Sequence, residues 1–112
     1  MDYKIKSKIW IESNGKILLG EGRVQLLKAI KETGSLSKAS KKLNMSYKKA
    51  WGLIDAVNSI AEKEVVIKNI GGKSGGGTVL TEYGDSLIDT FEKINESCWK
   101  HLDKEIKKSA LG

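Results

Sequence analysis

Residues 35–61 constrain the fold of this chain more than any other stretch, because they predict two helices separated by a turn of two residues. The first helix is predicted over residues 35–43 and the second over residues 46–62. Ser35 and Ser46 open the two helices, and a serine hydroxyl in that position accepts a free backbone N–H of the first turn. Apolar residues recur at helical spacing in both segments: Leu36, Ala39 and Leu43 in the first, and Ala50, Ile54, Val57 and Ala61 in the second.

Charge in the same stretch points to a polyanionic partner. No acidic residue occurs between Thr33 and Ile54, and the stretch contains five lysines: Lys38, Lys41, Lys42, Lys48 and Lys49. A short helix, a turn and a longer helix that begins with lysines is the arrangement of a DNA-binding helix-turn-helix, whose second helix contacts base edges with its first turns. The candidate DNA contacts in the two helices are Ser35, Ser37, Lys38, Ser46, Tyr47, Lys48 and Lys49.

Two residues of the second helix need a separate interpretation. Gly52 costs about 1 kcal/mol of helix stability relative to alanine. Close approach of another surface would explain this glycine, and so would a tight helix crossing inside the domain. Trp51 lies between the inward and outward faces of the helix, and we interpret it as a core residue rather than a DNA contact.

A β-hairpin is predicted directly after the helix pair. Residues 65–70 are rich in β-branched side chains, residues 71–77 are glycine-rich with one lysine, and residues 78–80 fit a return strand. A cationic, glycine-rich hairpin after a helix-turn-helix is typical of a wing, so Lys73 and Ser74 are further candidate DNA contacts. A merely flexible loop is the alternative interpretation. The loop lacks the G-x-x-x-x-G-K-[ST] spacing of a nucleotide-binding loop.

The N-terminal part predicts another hairpin, followed by a helix. Residues 3–12 alternate apolar and polar side chains, and Asn14-Gly15 is a strong signal for a tight hairpin turn. A helix with one apolar face follows, and Gly34 is suited to end it. Arg23 lies in the first turn of that helix, where the helix dipole disfavours a cation, so we expect it to hold a phosphate or a carboxylate.

The last predicted helix begins after Thr81 and has about 28 residues, or roughly 40 Å at 1.5 Å per residue. Its apolar stripe steps by three or four residues along the helix: Leu87, Phe91, Ile94, Cys98 and Leu102. One small domain cannot cover that whole length. We therefore expect the stripe to pack against the same helix of a second subunit in a homodimer. Packing back onto its own domain is the alternative.

Together these elements predict a mainly α fold with small β (α+β): a winged helix-turn-helix with an N-terminal β-hairpin and a long C-terminal dimerisation helix. We assign residues 1–80 to the DNA-binding part and residues 81–112 to the dimerisation helix, within one structural domain. The first part carries fifteen Lys and Arg against seven Asp and Glu, and the second five against seven. This asymmetry indicates a polyanion as partner of the first part and protein as partner of the second.

Composition excludes several classes of protein. A single cysteine, Cys98, rules out a disulfide within the chain and favours a reducing, cytoplasmic location. A single histidine, His101, leaves no His-based metal site, and acid–base or nucleophilic catalysis lacks its usual residues. No apolar run approaches the roughly 18–20 residues of a membrane span. We predict that the chain is not an enzyme, has no catalytic residues, metal site or cofactor, and does not enter a membrane.

The sequence resembles one known family. Residues 45–51 (Met-Ser-Tyr-Lys-Lys-Ala-Trp) and the glycine-rich loop that ends in Leu80-Thr81-x-Tyr83-Gly84 are the most specific pieces of a match from residue 8 to about residue 91. They resemble the N-terminal winged-helix domain of the prokaryotic molybdate-responsive transcriptional regulators (ModE type), whose helix-turn-helix is similar to the LysR-type one. The resemblance implies a dimeric repressor or activator on a palindromic operator, with DNA contacts at residues 46–49 and at residues 73–74.

The resemblance also implies a sensor that the printed sequence does not contain. In the family an oxyanion-binding module follows this domain, whereas the sequence here ends at Gly112. We therefore do not expect molybdate sensing by this chain alone. A separate sensor protein, a different cue or constitutive action are the alternatives, and the sequence could also be one part of a longer protein. The leading function is a sequence-specific, homodimeric DNA-binding transcriptional regulator. A protein-interaction module, which would use the C-terminal stripe and need no lysines around the helix pair, is the competing hypothesis.

Overall fold

The computed structural model describes residues 2–68 and 77–112 of the chain. Two strands are followed by three helices, two more strands and one long helix: β1 (Trp10–Ser13), β2 (Lys16–Gly20), α1 (Glu21–Thr33), α2 (Leu36–Lys42), α3 (Tyr47–Ile60), β3 (Val66–Lys68), β4 (Thr78–Leu80) and α4 (Glu82–Lys108). This is the mainly helical fold with two small hairpins that the sequence predicts, and the helix bounds differ from the predicted ones by one or two residues.

The N-terminal hairpin is shorter than its sequence pattern. β1 and β2 pair antiparallel around Asn14 and Gly15, whose φ angles of 52° and 77° are those of a tight turn that favours Asn-Gly. The predicted strand over residues 3–12 is wrong before Trp10, because β2 is only five residues long and has no partners for the preceding residues. That preceding segment lies beside the long helix α4 instead, where Ser7 Oγ is 3.7 Å from Cys98 Sγ.

Helix α1 lies at the centre of the core. Its apolar face is buried together with side chains from every other helix and both hairpins; the α1 residues are Val24, Leu26, Leu27, Ala29 and Ile30. Gly34 ends α1 with a φ of 65°, in the left-handed region. The carbonyl of Gly34 accepts the backbone N–H of Thr78 at 3.0 Å, so the second strand of the wing is attached to the end of α1.

The helix-turn-helix is closed by the two predicted caps. Ser35 Oγ accepts the backbone N–H of Lys38 at 3.1 Å, and Ser46 Oγ accepts that of Lys49 at 3.0 Å. Each such cap is worth about 1 kcal/mol. Between the helices Asn44 adopts a φ of 54°, which turns the chain tightly enough for α3 to pack across α2.

Helix α4 begins at the base of the wing and extends beyond the core. Thr81 Oγ1 accepts the backbone N–H of Gly84 at 3.0 Å and thereby caps the helix. Near the start of α4, Ile88 and Phe91 are buried in the core. Two ion pairs join α4 to α1, Lys31–Asp85 at 2.5 Å and Lys28–Glu92 at 2.8 Å. The start of α4 is therefore fixed to α1, and its later turns carry no buried side chain.

Candidate nucleic-acid interface

The first turn of α3 is presented outward by the packing of the rest of the helix. Ala50, Ile54 and Val57 are at most 1% exposed and face the core. Tyr47 is 52% exposed, and Lys48 and Lys49 are exposed beside it. Within residues 2–68 and 77–112 neither lysine forms an ion pair, so both ammonium groups are free to bind a phosphate or a guanine acceptor. The positive end of the α3 dipole adds to the attraction of an anion.

Gly52 lies one turn further along the same outward face. A Cβ atom on this residue would meet no atom of the described structure within 4 Å. A tight helix crossing inside the domain, one of the two explanations offered by the sequence, is therefore wrong for this glycine. The other explanation, close approach of an external surface, stays a prediction.

The candidate residues of α2 have different surroundings. Ser35 is half-buried and its hydroxyl caps the helix, whereas Ser37 and Lys38 are exposed. Lys42 pairs with Glu32 of α1, and the hydrogen bond and charge of Lys42 lower the pKa of the Glu32 carboxyl. Of the α2 candidates, Ser37 and Lys38 are thus the ones with side chains open to a partner.

The base of the wing is present as predicted. β3 and β4 pair antiparallel, with Val66 opposite Leu80, Ile67 opposite Val79 and Lys68 opposite Thr78. The predicted DNA contacts Lys73 and Ser74 lie outside the described residues, between these two strands.

One side of α3, formed by Trp51, Asp55 and Asn58, contacts the wing strand β3, and the sequence analysis missed this stripe. The side chain of Asn58 makes three hydrogen bonds to its backbone: Oδ1 accepts from Val65 N at 2.8 Å and from Val66 N at 3.1 Å, and Nδ2 donates to Val66 O at 2.9 Å. Three residues earlier on α3, Asp55 Oδ1 is 2.7 Å from Lys68 Nζ. The spacing of Trp51, Asp55 and Asn58 by four and then three residues, which places them on one side of a helix, was the available sequence signal.

Trp51 belongs to this stripe rather than to the deep core. It is partly buried against the core cluster, and Lys68 Nζ lies 3.1 Å from the centroid of its ring. Its ring centroid is 6.2 Å from that of Tyr47, with an angle of 33° between the planes. The interpretation of Trp51 as a core residue is correct only in part, because Trp51 packs against the core but stays partly exposed. Its neighbours also include residues of the wing base and of the exposed first turn.

On the opposite side, α3 faces the N-terminal hairpin across an open cleft of about 440 Å³. Lys49 and Leu53 of α3 line it together with Trp10 and Ile17 of the hairpin. Arg23 also borders the cleft and donates from Nη1 to the backbone carbonyl of Ile17 at 2.5 Å. Its partner among the described residues is therefore a carbonyl oxygen rather than a carboxylate, and a phosphate partner stays a prediction.

The predicted dimerisation stripe of α4 divides into two parts. Phe91 is 2% exposed and belongs to the core, so its assignment to a dimer surface needs correction, and Leu87 also packs against the core. The physical reason is that α4 crosses α1 at these positions. Ile94 is 49% exposed, whereas Cys98 and Leu102 are half-buried. The surface left for a partner begins at Ile94.

Residues 2–68 and 77–112 contain no group of three or more His, Cys, Asp or Glu side chains placed to hold a metal ion. In the same part of the chain, no helix combines the length and apolar character needed to cross a membrane.

The fold and the site define a winged helix-turn-helix domain. One chain of a solved structure described as the crystal structure of the CbnR_DBD-DNA complex matches with a TM-score of 0.59, over 80% of this chain and 98% of that chain. The sequences are 17% identical, so this likeness shows the fold.

The sequence of the chain is also similar to that of curated proteins, although no family model matches. The transcriptional regulator ModE of Haemophilus influenzae is 41% identical over 86 residues, which are 74% of this chain and 34% of that protein. The DNA-binding transcriptional dual regulator ModE of Escherichia coli is 39% identical over 88 residues, 79% of this chain and 34% of that protein. The molybdenum-pterin-binding protein MopB of Rhodobacter capsulatus is 43% identical over 84 residues, 75% of this chain and 31% of that protein.

This chain is a ModE-like winged helix-turn-helix domain, which confirms the resemblance seen in the sequence. It spans about a third of the length of the curated relatives that it matches. Those relatives bear the names of regulators and of transport and binding proteins, in agreement with the prediction that the chain is not an enzyme.

Proposed function

We propose that this chain is a sequence-specific DNA-binding transcriptional regulator that places the first turns of α3 in the major groove of double-stranded DNA. The observation that carries the proposal is the outward first turn of α3, with Tyr47, Lys48 and Lys49 exposed above a buried inner face. The names of the ModE relatives and the DNA complex of the structural neighbour support it. As a DNA-bound bacterial-type regulator, the protein would act in the cytoplasm.

The exposed side chains are proposed to contact different parts of the DNA. Lys48 and Lys49 suit guanine acceptors or phosphate oxygens, and Tyr47 suits a thymine methyl group or a phosphate. Ser37 and Lys38 of α2 precede the recognition helix α3, and their exposed side chains suit contacts with the DNA backbone. The capping residues Ser35 and Ser46 are also proposed to contact the DNA backbone, at the turns that begin the two helices. Lys73 and Ser74 of the wing are proposed as further DNA contacts, and this assignment rests on the sequence alone.

The proposal includes a homodimer on a palindromic operator. Residues 1–80 form its DNA-binding part and residues 81–112 its dimerisation helix. Support comes from the distal part of α4, where Ile94 is 49% exposed and Trp99 46% exposed, beyond the turns that pack on α1. A two-fold axis between two such helices would present two α3 helices to successive major grooves, about 34 Å apart along one face of the duplex.

The test is selection of bound duplexes from a random pool by the purified protein, followed by titration of the selected duplex at several salt concentrations. We expect an inverted repeat whose half-sites lie about one duplex turn apart. We also expect a slope of log affinity against log salt near −0.9 for each phosphate neutralised. A pool without enrichment, together with no salt-dependent binding to any duplex, would exclude the proposed function and leave the protein-interaction hypothesis.

A further inference from the structure

We propose that Lys68 is a positioning residue of the proposed DNA-binding surface, which consists of the first turn of α3 and the wing. In this role it fixes the recognition helix α3 against the wing strand β3 and does not itself contact phosphate. The inference rests on the proposed DNA-binding function and deepens it, because it names a residue that affects how strongly the protein prefers its target sequence over other DNA.

The surroundings of Lys68 are those of a held side chain. It is the last residue of β3, and a lysine on the wing would ordinarily be counted as a phosphate contact. Its Nζ atom lies 2.7 Å from Asp55 Oδ1 and 3.1 Å from the centroid of the Trp51 ring. The Lys68 side chain is 15% exposed, whereas that of Lys93, which also pairs with an aspartate, is 75% exposed. A phosphate contact would require Lys68 to leave both of its partners.

The held ammonium group is connected to a residue that is proposed to contact DNA. Lys68 lies on the ring of Trp51, and the ring of Tyr47 packs next to Trp51 at a centroid distance of 6.2 Å. Cation–π and aromatic contacts both restrict the orientation of the rings that make them. Lys68 therefore acts on Tyr47, in the first turn of α3, through the indole of Trp51.

Lys68 also neutralises a charge that would oppose binding. Asp55 is 57% exposed on α3, eight residues after Tyr47, or about two helical turns. An uncompensated carboxylate at that position would repel DNA phosphates. Pairing with Lys68 removes this repulsion and at the same time fixes the C-terminal end of β3.

Loss of the Lys68 contacts should leave the domain folded. The start of β3 is held independently by the three hydrogen bonds of Asn58 to Val65 and Val66. The strand also keeps its pairing with β4. A substitution at Lys68 is therefore expected to change the angle and freedom of the wing relative to α3 rather than to unfold the protein.

The DNA test compares Lys68→Met, which keeps the apolar stem, with Lys68→Arg, which can restore both contacts. Each is titrated with the selected duplex and with a scrambled duplex of equal length. For Lys68→Met we expect the target-to-scrambled affinity ratio to fall by about three- to tenfold, from loss of contacts of cation–π and ion-pair strength. The unpaired Asp55 carboxylate should in addition weaken binding to both duplexes alike. Lys68→Arg should recover the ratio.

Lys38→Met serves as the contrasting variant, because Lys38 is an exposed lysine proposed to meet the DNA backbone. It should lower the magnitude of the salt slope by about 0.9 and leave the affinity ratio unchanged. If Lys68→Met gives that same result, Lys68 is a phosphate contact and the positioning role is wrong, while the proposed function stands. If the wild-type protein binds no duplex, the proposed function itself fails.

A second measurement needs no DNA. The chain has three tryptophans, so a Trp10→Phe/Trp99→Phe background leaves Trp51 as the only indole. In that background Lys68→Met should shift or brighten the Trp51 emission of the free protein, and Lys68→Arg should not. Emission that is identical in all three proteins would show that the Lys68–Trp51 contact is not kept in solution and would overturn the proposal.

Discussion

A Cβ atom on Gly84 would lie 2.5 Å from the carbonyl oxygen of Val65 and 2.7 Å from Leu80 Cδ1. Gly84 is thus the point at which α4 passes against the backbone at the base of the wing. The carbonyl of Val65 also accepts the backbone N–H of Thr81 at 3.0 Å, so it cannot withdraw without breaking that bond. The direction in which α4 leaves the domain depends on this glycine.

Gly84→Ala should therefore destabilise the protein. The added methyl group meets the backbone carbonyl of Val65 as well as the side chain of Leu80, and overpacking of this kind costs about 1–3 kcal/mol. The free energy of unfolding in urea measures the effect. Gly22→Ala is the matched control, because a Cβ there meets no described atom within 4 Å. Equal stability of the two variants would contradict the close crossing.

Gly52→Ala should have opposite effects on stability and on DNA binding. The open space around Gly52 accepts a methyl group, and alanine in a helix interior is about 1 kcal/mol more favourable than glycine, so stability should rise. If DNA approaches α3 at this position, the methyl group should weaken binding of the selected duplex by about ten- to a hundredfold, the worth of one good base contact. Unchanged DNA affinity in this more stable variant would show that no surface approaches Gly52.

The division of the α4 stripe predicts two distinct mutant behaviours. Ile94→Asp should dissociate the proposed homodimer, as seen by sedimentation equilibrium, with little change in the stability of the monomer, since Ile94 is 49% exposed. Phe91→Ala should cost about 3–5 kcal/mol of unfolding free energy, because it empties a core position. A dimer that survives Ile94→Asp and Leu102→Asp would place the subunit contact elsewhere.

The Glu32–Lys42 pair predicts a pH-dependent contribution to stability. The hydrogen bond from Lys42, and then its charge, lower the pKa of Glu32 from its ordinary value of 4.5 in the folded protein. The stabilisation is therefore present above pH 4.5 and is lost as the pH falls through the lower folded pKa. The difference in urea midpoint between wild type and Glu32→Gln should shrink over that acidic range. A difference that does not change with pH below 4.5 would contradict the pairing.

Most of the fold could be predicted from sequence because its determinants are local. Apolar spacing and the capping serines 35 and 46 fixed the helix-turn-helix, and Asn14-Gly15 fixed the first turn. Alternation over residues 3–12 misled, because it reports that one face of a segment is apolar and not that a strand partner exists. Here Ser7 of that face lies beside Cys98 of α4 rather than in a strand.

The functional surface could be predicted only in part. The lysines at the start of α3 can be recognised from their position in the predicted helix. Lys68 and Asp55, in contrast, are thirteen residues apart in sequence and meet only because β3 folds back onto α3. Likewise, helical spacing identified the stripe that contains Phe91 and Ile94. Where the domain ends along that stripe is a tertiary property, set by the crossing of α1 and α4.

The central claim is that the first turn of α3 binds DNA, and a matched pair of charge reversals tests it most directly. Lys48→Glu/Lys49→Glu and Lys104→Glu/Lys108→Glu change the net charge equally, the first pair on α3 and the second on the distal part of α4. Affinity for the selected duplex at fixed salt is the measurement. Several lost charge contacts of about 1–3 kcal/mol each should weaken binding by the α3 variant at least about a hundredfold, while the α4 variant stays near wild type. Equal losses in the two variants would show that only overall charge matters and would contradict the claim.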